Sequence, residues 1–155
     1  MNTSTTTSTM LRALPTEHRE RLMRVAREVS FPAGTCLFTE GRLADRFWII
    51  RTGTVALDLR VPGRRAAVIE ILGHDELVGW SWLFHPHTWH LGAKATSPVR
   101  AYEFDAGTVR ALCRADPGFG VAITRWTGEI VAHRLHSTRT RLLDLYAPYG
   151  SGDVR

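Results

Sequence analysis

The chain has 155 residues, 44% hydrophobic and 23% charged, with a formal net charge of +5. That is enough sequence for one domain with its own core and no metal or disulfide staple, and no apolar run approaches the ~20 residues of a membrane-spanning helix. The positive excess points to an acidic or nucleic-acid partner only if it is clustered; Lys94 is the only lysine, and such an arginine skew also fits a GC-rich genome.

Met1 to Thr9 lack a basic flank and an apolar stretch, so residues 1–10 are expected to be a disordered polar tail rather than a secretory signal. Leu14-Pro15-Thr16-Glu17 opens a helix, with proline in the first turn and an acid at the positive end. Leu22, Val25, Ala26 and Val29 continue it as one apolar stripe at i, i+3, i+4 and i+7. Arg19, Arg21, Arg24 and Arg27 lie mostly off that stripe and read as a solvated face.

From Phe31 the texture becomes β-like. Glycines recur at 34, 41, 53, 63, 73 and 79. Between them lie Thr35–Phe38, Phe47–Ile50, Thr54–Leu59 and Ala66–Leu72, and Val61-Pro62-Gly63-Arg64 reads as a hairpin turn. Trp89 to Ala95 and Val99 to Phe104 form a further pair around Thr96-Ser97-Pro98. Asp105 is placed as the cap of a helix over Ala106 to Arg114, and a long helix follows from Phe119 to Leu145. Phe119, Ile123, Trp126, Ile130 and His133 form one seam on it; Val131, Leu135, Thr138, Leu142 and Leu145 form a second, offset one. Two seams suggest that one side packs on the β-region while another meets a partner; a single broad buried face is the alternative. Pro148 ends the helix, and residues 147–155 read as a flexible tail. Cys36 and Cys113, far apart and outside any C-x-x-C, are expected to be reduced, buried and in a cytoplasmic protein.

One stretch carries more information. Phe31-Pro32-Ala33-Gly34-Thr35-Cys36-Leu37-Phe38-Thr39-Glu40-Gly41 runs on through Ala44-Asp45-Arg46-Phe47-Trp48-Ile49-Ile50 to Gly53-Thr54-Val55. It fits F-x-x-G-x-x-L-F-x-x-G-x-x-A-D-x-F-W-I-I-x-x-G-x-V without a gap. It resembles the first half of a cyclic-nucleotide-binding domain, most closely the sensor domain of the catabolite activator protein family. The resemblance implies a mainly β fold with flanking helices: a double-stranded jelly roll, the β-roll, over residues of about 30–104, with an N-terminal helix and C-terminal helices over about 105–146, in one domain spanning 11–146. In that family the long helix dimerises and leads into a helix-turn-helix domain. A homodimer through the C-terminal helix is therefore expected, and DNA binding by a helix-turn-helix is not expected from the residues after Leu145.

The family's ligand lies in a phosphate-binding cassette that begins with a short helix after a glycine. Gly73-His74-Asp75-Glu76-Leu77-Val78-Gly79-Trp80-Ser81-Trp82-Leu83-Phe84 matches its first part. Where the family has a glutamate for the ribose hydroxyl this chain has Trp80, and where it has arginine then serine or threonine for the cyclic phosphate it has Trp89 and His90. An indole has one donor and no acceptor; Trp89 carries no charge; His90 donates, and neutralises a phosphate only when protonated. A charged hydrogen bond is worth about 1.5–3 kcal/mol, so two lost contacts weaken cyclic-nucleotide binding by orders of magnitude. The backbone N–H groups around Val78, Gly79 and Ser81, at the expected helix start, still suit an anion. Thr138 matches a base-contacting threonine of the family's long helix, followed here by Arg139, and Arg134 or Arg139 is within reach of the same pocket.

The candidate ligand-binding residues are thus Val78, Gly79, Trp80, Ser81, Trp89, His90 and Thr138. Indoles 80, 82 and 89 either fill the vacated pocket or remodel it for a flatter, less charged ligand. His85-x-His87-x-x-His90 has no acidic or cysteine partner in register, so no metal and no cofactor is assigned. No G-x-S-x-G, P-loop or H-E-x-x-H is present, so no enzyme is expected. The leading expectation is a cytoplasmic regulatory domain that takes a non-standard small molecule or a protein partner rather than cyclic AMP or cyclic GMP. A ligand-free dimerisation or docking scaffold is the alternative. A basic nucleic-acid-associated protein is the third, and it requires Arg19, Arg24, Arg134, Arg139 and Arg141 on one surface.

Overall fold

Eight strands pair into two four-stranded antiparallel sheets in a computed structural model that describes residues 10–146. The strands are β1 (Arg27–Phe31), β2 (Cys36–Phe38), β3 (Arg46–Thr52), β4 (Val55–Leu59), β5 (Ala67–Leu72), β6 (Leu77–Val78), β7 (Gly92–Ala95) and β8 (Val99–Asp105). One sheet runs β1-β8-β3-β6 and the other β2-β7-β4-β5. Chain neighbours therefore often fall in different sheets, as a jelly roll requires. A 3-10 turn (Leu11–Ala13) and α1 (Thr16–Met23) precede the roll; α2 (Ala106–Ala115) and α3 (Pro117–Tyr146) follow it.

Phe47, Trp48, Ile49 and Ile50 on β3 are all buried, because this strand lies between β8 and β6 and is covered on both faces. Phe47 stacks on Trp82 at 4.1 Å and on Phe104 at 4.7 Å, tying the loop after β6 to the core. The turn between β3 and β4 needs glycine at 53: φ is +92°, and a Cβ there would collide with the Pro98 carbonyl oxygen. The Asp105 carboxylate accepts from the Thr108 backbone N–H at 2.9 Å, capping α2 as its sequence predicts.

Three expectations are corrected. The first helix ends at Met23, so Val29 is not on its stripe; it lies in β1 opposite Ala101. The unpaired edge of β8 recruits residues 27–31, and Arg27 reaches Glu103 at 2.5 Å, so cross-strand pairing overrides helical periodicity. The cysteines are not buried: Cys36 is exposed on edge strand β2 and Cys113 is half-buried on α2. Met10, assigned to the tail, pairs with Glu76, and its carbonyl accepts from the Trp126 indole at 3.0 Å. The tail expectations for 1–9 and 147–155 lie outside the described residues.

On α3 the two seams separate. Phe119, Ile123, Trp126 and Ile130 are buried against the roll and α2, with His133 half-buried. Leu135, Leu142 and Leu145 of the second seam are 60%, 52% and 76% exposed. Among the described residues no helix is long and apolar enough to cross a membrane.

Candidate ligand cassette

The cassette begins where β6 leaves the first sheet. Leu77 and Val78 pair with Ile49 and Trp48, which fixes the direction of the chain entering Gly79. Gly79 takes φ +95°, a left-handed conformation that turns the chain out of the sheet. Beyond it the chain makes turns: the Leu83 N–H bonds the Trp80 carbonyl at 3.2 Å, and the Phe84 N–H bonds that of Ser81 at 3.3 Å. No helix forms over residues 79–90. The expected helix N-terminus at Val78, Gly79 and Ser81 is therefore absent, and with it that source of anion binding. Pro86 has no N–H and restricts the residue before it, so a helix begun at Ser81 has no room for a second turn.

The indoles take distinct places. Trp89, 5% exposed, lies flat on Phe38 with centroids 3.8 Å apart and planes 11° apart. Its ring also covers Gly79 so closely that a Cβ there would stand 2.6 Å from two ring carbons. Trp80 is half-buried and stacks on His90 at 5.3 Å. Trp82 is fully buried against Phe47, and its indole N–H has no partner among the described residues. Between Trp80 and Trp89 remains a cavity, open to solvent on one side, of about 20 Å³, room for about one water molecule.

Gly79, Trp80, Ser81, Trp89 and His90 all line that cavity, with Phe38, Leu57, Leu91 and Arg134. Two of the expected site residues do not. Val78 is buried inside β6. Thr138 is exposed, and its hydroxyl donates to the Arg134 carbonyl at 2.8 Å. Ser81 is buried, with Oγ 3.1 Å from His90 Nδ1.

The residue that the sequence reading left outside its site is Arg134. It stands four positions after buried Ile130, so helical spacing carries it onto the inner face of α3. It is 9% exposed. Nη2 donates to the Leu77 carbonyl, while Nη1 is buried with no partner among the described residues. Burial lowers the guanidinium pKa, and the negative charges of Glu70 and Glu76 raise it again. Neither carboxylate stands within ion-pair distance among the described residues. Burial likewise raises the pKa of Glu70, against the pull of Arg134. About two turns further on, Arg141 donates to the Ile69 carbonyl. Two arginines of α3 thus hold backbone carbonyls at the β5–β6 side of the roll.

The remaining candidates disperse. His74 Nδ1 meets the Arg51 carbonyl at 2.8 Å, and His85 packs edge-on against His87 at 5.9 Å. Among the described residues no three His, Cys, Asp or Glu side chains converge. With Arg134 inside and Arg19 bonded to the Arg12 carbonyl, the five arginines do not make one basic surface.

The family profile described as "cyclic nucleotide-binding domain" matches residues 28–116, β1 through α2. The chain belongs to that family. It is 30% identical over 124 residues to the "CRP-like cAMP-activated global transcriptional regulator" of Mycobacterium tuberculosis, an alignment covering 80% of this chain and 54% of that protein. The chain thus spans about half the length of the curated relatives it matches. Among solved structures, the N-terminal domain of a Streptomyces coelicolor transcriptional regulator is 28% identical with TM-score 0.66, covering 83% of this chain and 89% of that one. A cyclic nucleotide-binding domain from Methylobacillus flagellatus superposes with TM-score 0.78 over 96% of this chain and 85% of that one, at 17% identity, a likeness of fold. The c-di-GMP responsive regulator CLP of Xanthomonas campestris matches at TM-score 0.75 and 18% identity, over 85% of this chain and 65% of that one. The fold is the expected one: a cyclic-nucleotide-binding β-roll with an N-terminal helix and a long C-terminal helix.

Proposed function

We propose that this chain is a non-enzymatic regulatory domain of the catabolite activator protein family whose cassette is closed against cyclic nucleotides, and that it acts in the cytoplasm through α3 as a dimerisation or docking module. The observation that carries this is the volume. Ligand pockets for small organic molecules measure about 300–1,000 Å³; the space between Gly79, Trp89 and Arg134 is about 20 Å³. The indole of Trp89 takes the room, and neither Trp80 nor Trp89 offers the carboxylate or guanidinium that the family uses.

The output surface follows from the outer seam of α3. Leu135, Leu142 and Leu145 of that seam are each more than half exposed in the single chain, and large apolar side chains exposed along one helix face favour burial against another surface. A second copy of α3 is the partner its repeat suits best. Calorimetry with cyclic AMP and cyclic GMP tests the first half: no binding at micromolar ligand is expected, and a micromolar Kd overturns it. Sedimentation equilibrium tests the second half. A dimer that becomes a monomer in Leu135→Asp/Leu142→Asp is expected; a wild-type monomer at all concentrations removes the dimer.

A further inference from the structure

We infer that the loop joining β4 to β5 is a contact surface for the phosphate backbone of a nucleic acid, made by Arg60, Arg64 and Arg65. It is a contact by a β-loop, separate from a helix-turn-helix.

The starting point is where the positive excess sits. Residues 59–69 hold these three arginines and no acidic side chain, in a chain whose formal charge is +5. All three are exposed. None takes part in an ion pair among the described residues. They are not the five arginines whose spacing in the sequence suggested a basic surface; one short loop brings them together.

The loop is also held in shape. Leu59 pairs with Ala67 and Asp58 with Val68, which fixes its two ends side by side. Inside it the Arg64 N–H donates to the Val61 carbonyl at 3.0 Å, and Gly63 takes φ +73°, a left-handed conformation that suits glycine. The Arg60 N–H donates to the Glu40 carboxylate at 3.2 Å. A loop closed in this way has less freedom to lose on binding than an open one.

The kind of partner follows from what the tip lacks. Residues 60–66 contain no leucine, isoleucine, methionine or aromatic side chain. The buried core of a protein interface is largely apolar, and a lipid surface takes up Trp, Phe or Leu. Contact with phosphates needs neither. A guanidinium presents its donors as a fork that matches phosphate oxygens, and it stays charged. A duplex carries one negative charge per about 1.7 Å of its axis, so guanidiniums gathered on one loop meet neighbouring phosphates whatever the base sequence.

Fluorescence anisotropy of a short fluorescein-labelled duplex of mixed sequence, titrated with the full chain, tests this. Three phosphate contacts predict that affinity falls about 40-fold between about 50 and about 200 mM sodium chloride. Arg60→Gln/Arg64→Gln/Arg65→Gln should lose at least about tenfold in affinity at the lower salt. Arg24→Gln/Arg100→Gln/Arg114→Gln, which removes the same charge from exposed positions elsewhere, should change it by less than about twofold. Arg64→Gln alone should lower the salt slope by about 1. Wild type that leaves the duplex unbound at about 100 μM in low salt overturns the proposal. Equal losses in the two triple variants overturn it too, since net charge alone would then be responsible. A glutamate homopolymer that displaces the duplex at equal charge assigns the loop to an acidic protein instead. No residue of the loop lines the cassette cavity, so a failure here leaves the closed cassette standing, and cyclic-nucleotide binding would leave this contact standing.

Discussion

Adding one methyl group at Gly79 measures how firmly Trp89 fills the cassette. The Cβ of Gly79→Ala would stand 2.6 Å from Trp89 Cη2 and Cζ3, while its distance to Phe38, 3.6 Å, is an ordinary contact. The residue also sits at φ +95°, where an L side chain costs about 1–3 kcal/mol. Overpacking against the indole adds about 1–3 kcal/mol more. Trp89→Ala on its own removes a side chain that is 5% exposed and stacked at 3.8 Å, a loss of about 3–5 kcal/mol. In the double variant the clash has no partner and only the backbone strain remains. The two substitutions should therefore couple by about 1–3 kcal/mol, the double variant being more stable than the sum of the singles predicts. Urea denaturation of all four proteins, with unchanged m, reads the cycle. Each kcal/mol corresponds to about 2–4 °C in Tm for a chain of this size. Additivity within ~0.5 kcal/mol would mean that the indole does not rest on Gly79, and the argument for a closed cassette would fail.

Three further outcomes follow from the polar groups. Burial raises the Glu70 pKa, so the folded state favours its neutral form; the native state loses stability as the pH rises from the ordinary glutamate range through the raised value. Glu70→Gln should then gain on the wild type as the pH rises and lose that advantage on acidification, which denaturation from about pH 4 to about pH 8 measures; a difference that stays constant with pH refutes the assignment. Asp105 behaves oppositely, because the Thr108 N–H and hydroxyl hold its carboxyl below the usual range. Asp105→Ala should cost about 1 kcal/mol at neutral pH, and the gap should close as the pH falls through the lowered value; an equal cost in acid would remove the charged cap. Glu103, 8% exposed, accepts from the Trp48 indole at 3.0 Å. Glu103→Ala should cost about 1–3 kcal/mol for the orphaned donor and less in a Trp48→Phe background; equal costs in both backgrounds, read by urea denaturation, dissociate the pair.

Much of the architecture was legible in local pattern. Strand segments 47–50, 54–59, 67–72 and 99–104, the cap at Asp105 and the inner seam Phe119, Ile123, Trp126 and Ile130 lie where alternation, helical spacing and cap chemistry put them. Val29 was misplaced because four apolar residues at helical spacing and the start of an edge strand look the same until β8 is there to pair with one of them. The cassette helix failed for a similar reason. Its residues permit a first turn, but buried Trp82 and the proline at 86 set the path of the chain.

The sequence by itself places Trp80, Trp89 and His90 in this stretch, and set beside the family's pattern they are expected to stand where its carboxylate and arginine lie. Whether the space is then open or closed is a matter of volume, and volume belongs to neighbours brought together from β2, β4, the turn after β6 and α3. Only the tertiary structure put the Trp89 ring on Phe38 and Gly79. Only it carried Arg134 into the interior, with Nη1 unpartnered among the described residues, a position that sequence spacing could mark as inward-facing but not as standing beyond ion-pair distance of a carboxylate. Periodicity is a property of one segment, and it records which face is buried. What that face meets, and whether a charge there is compensated, depends on contacts between residues far apart in the chain.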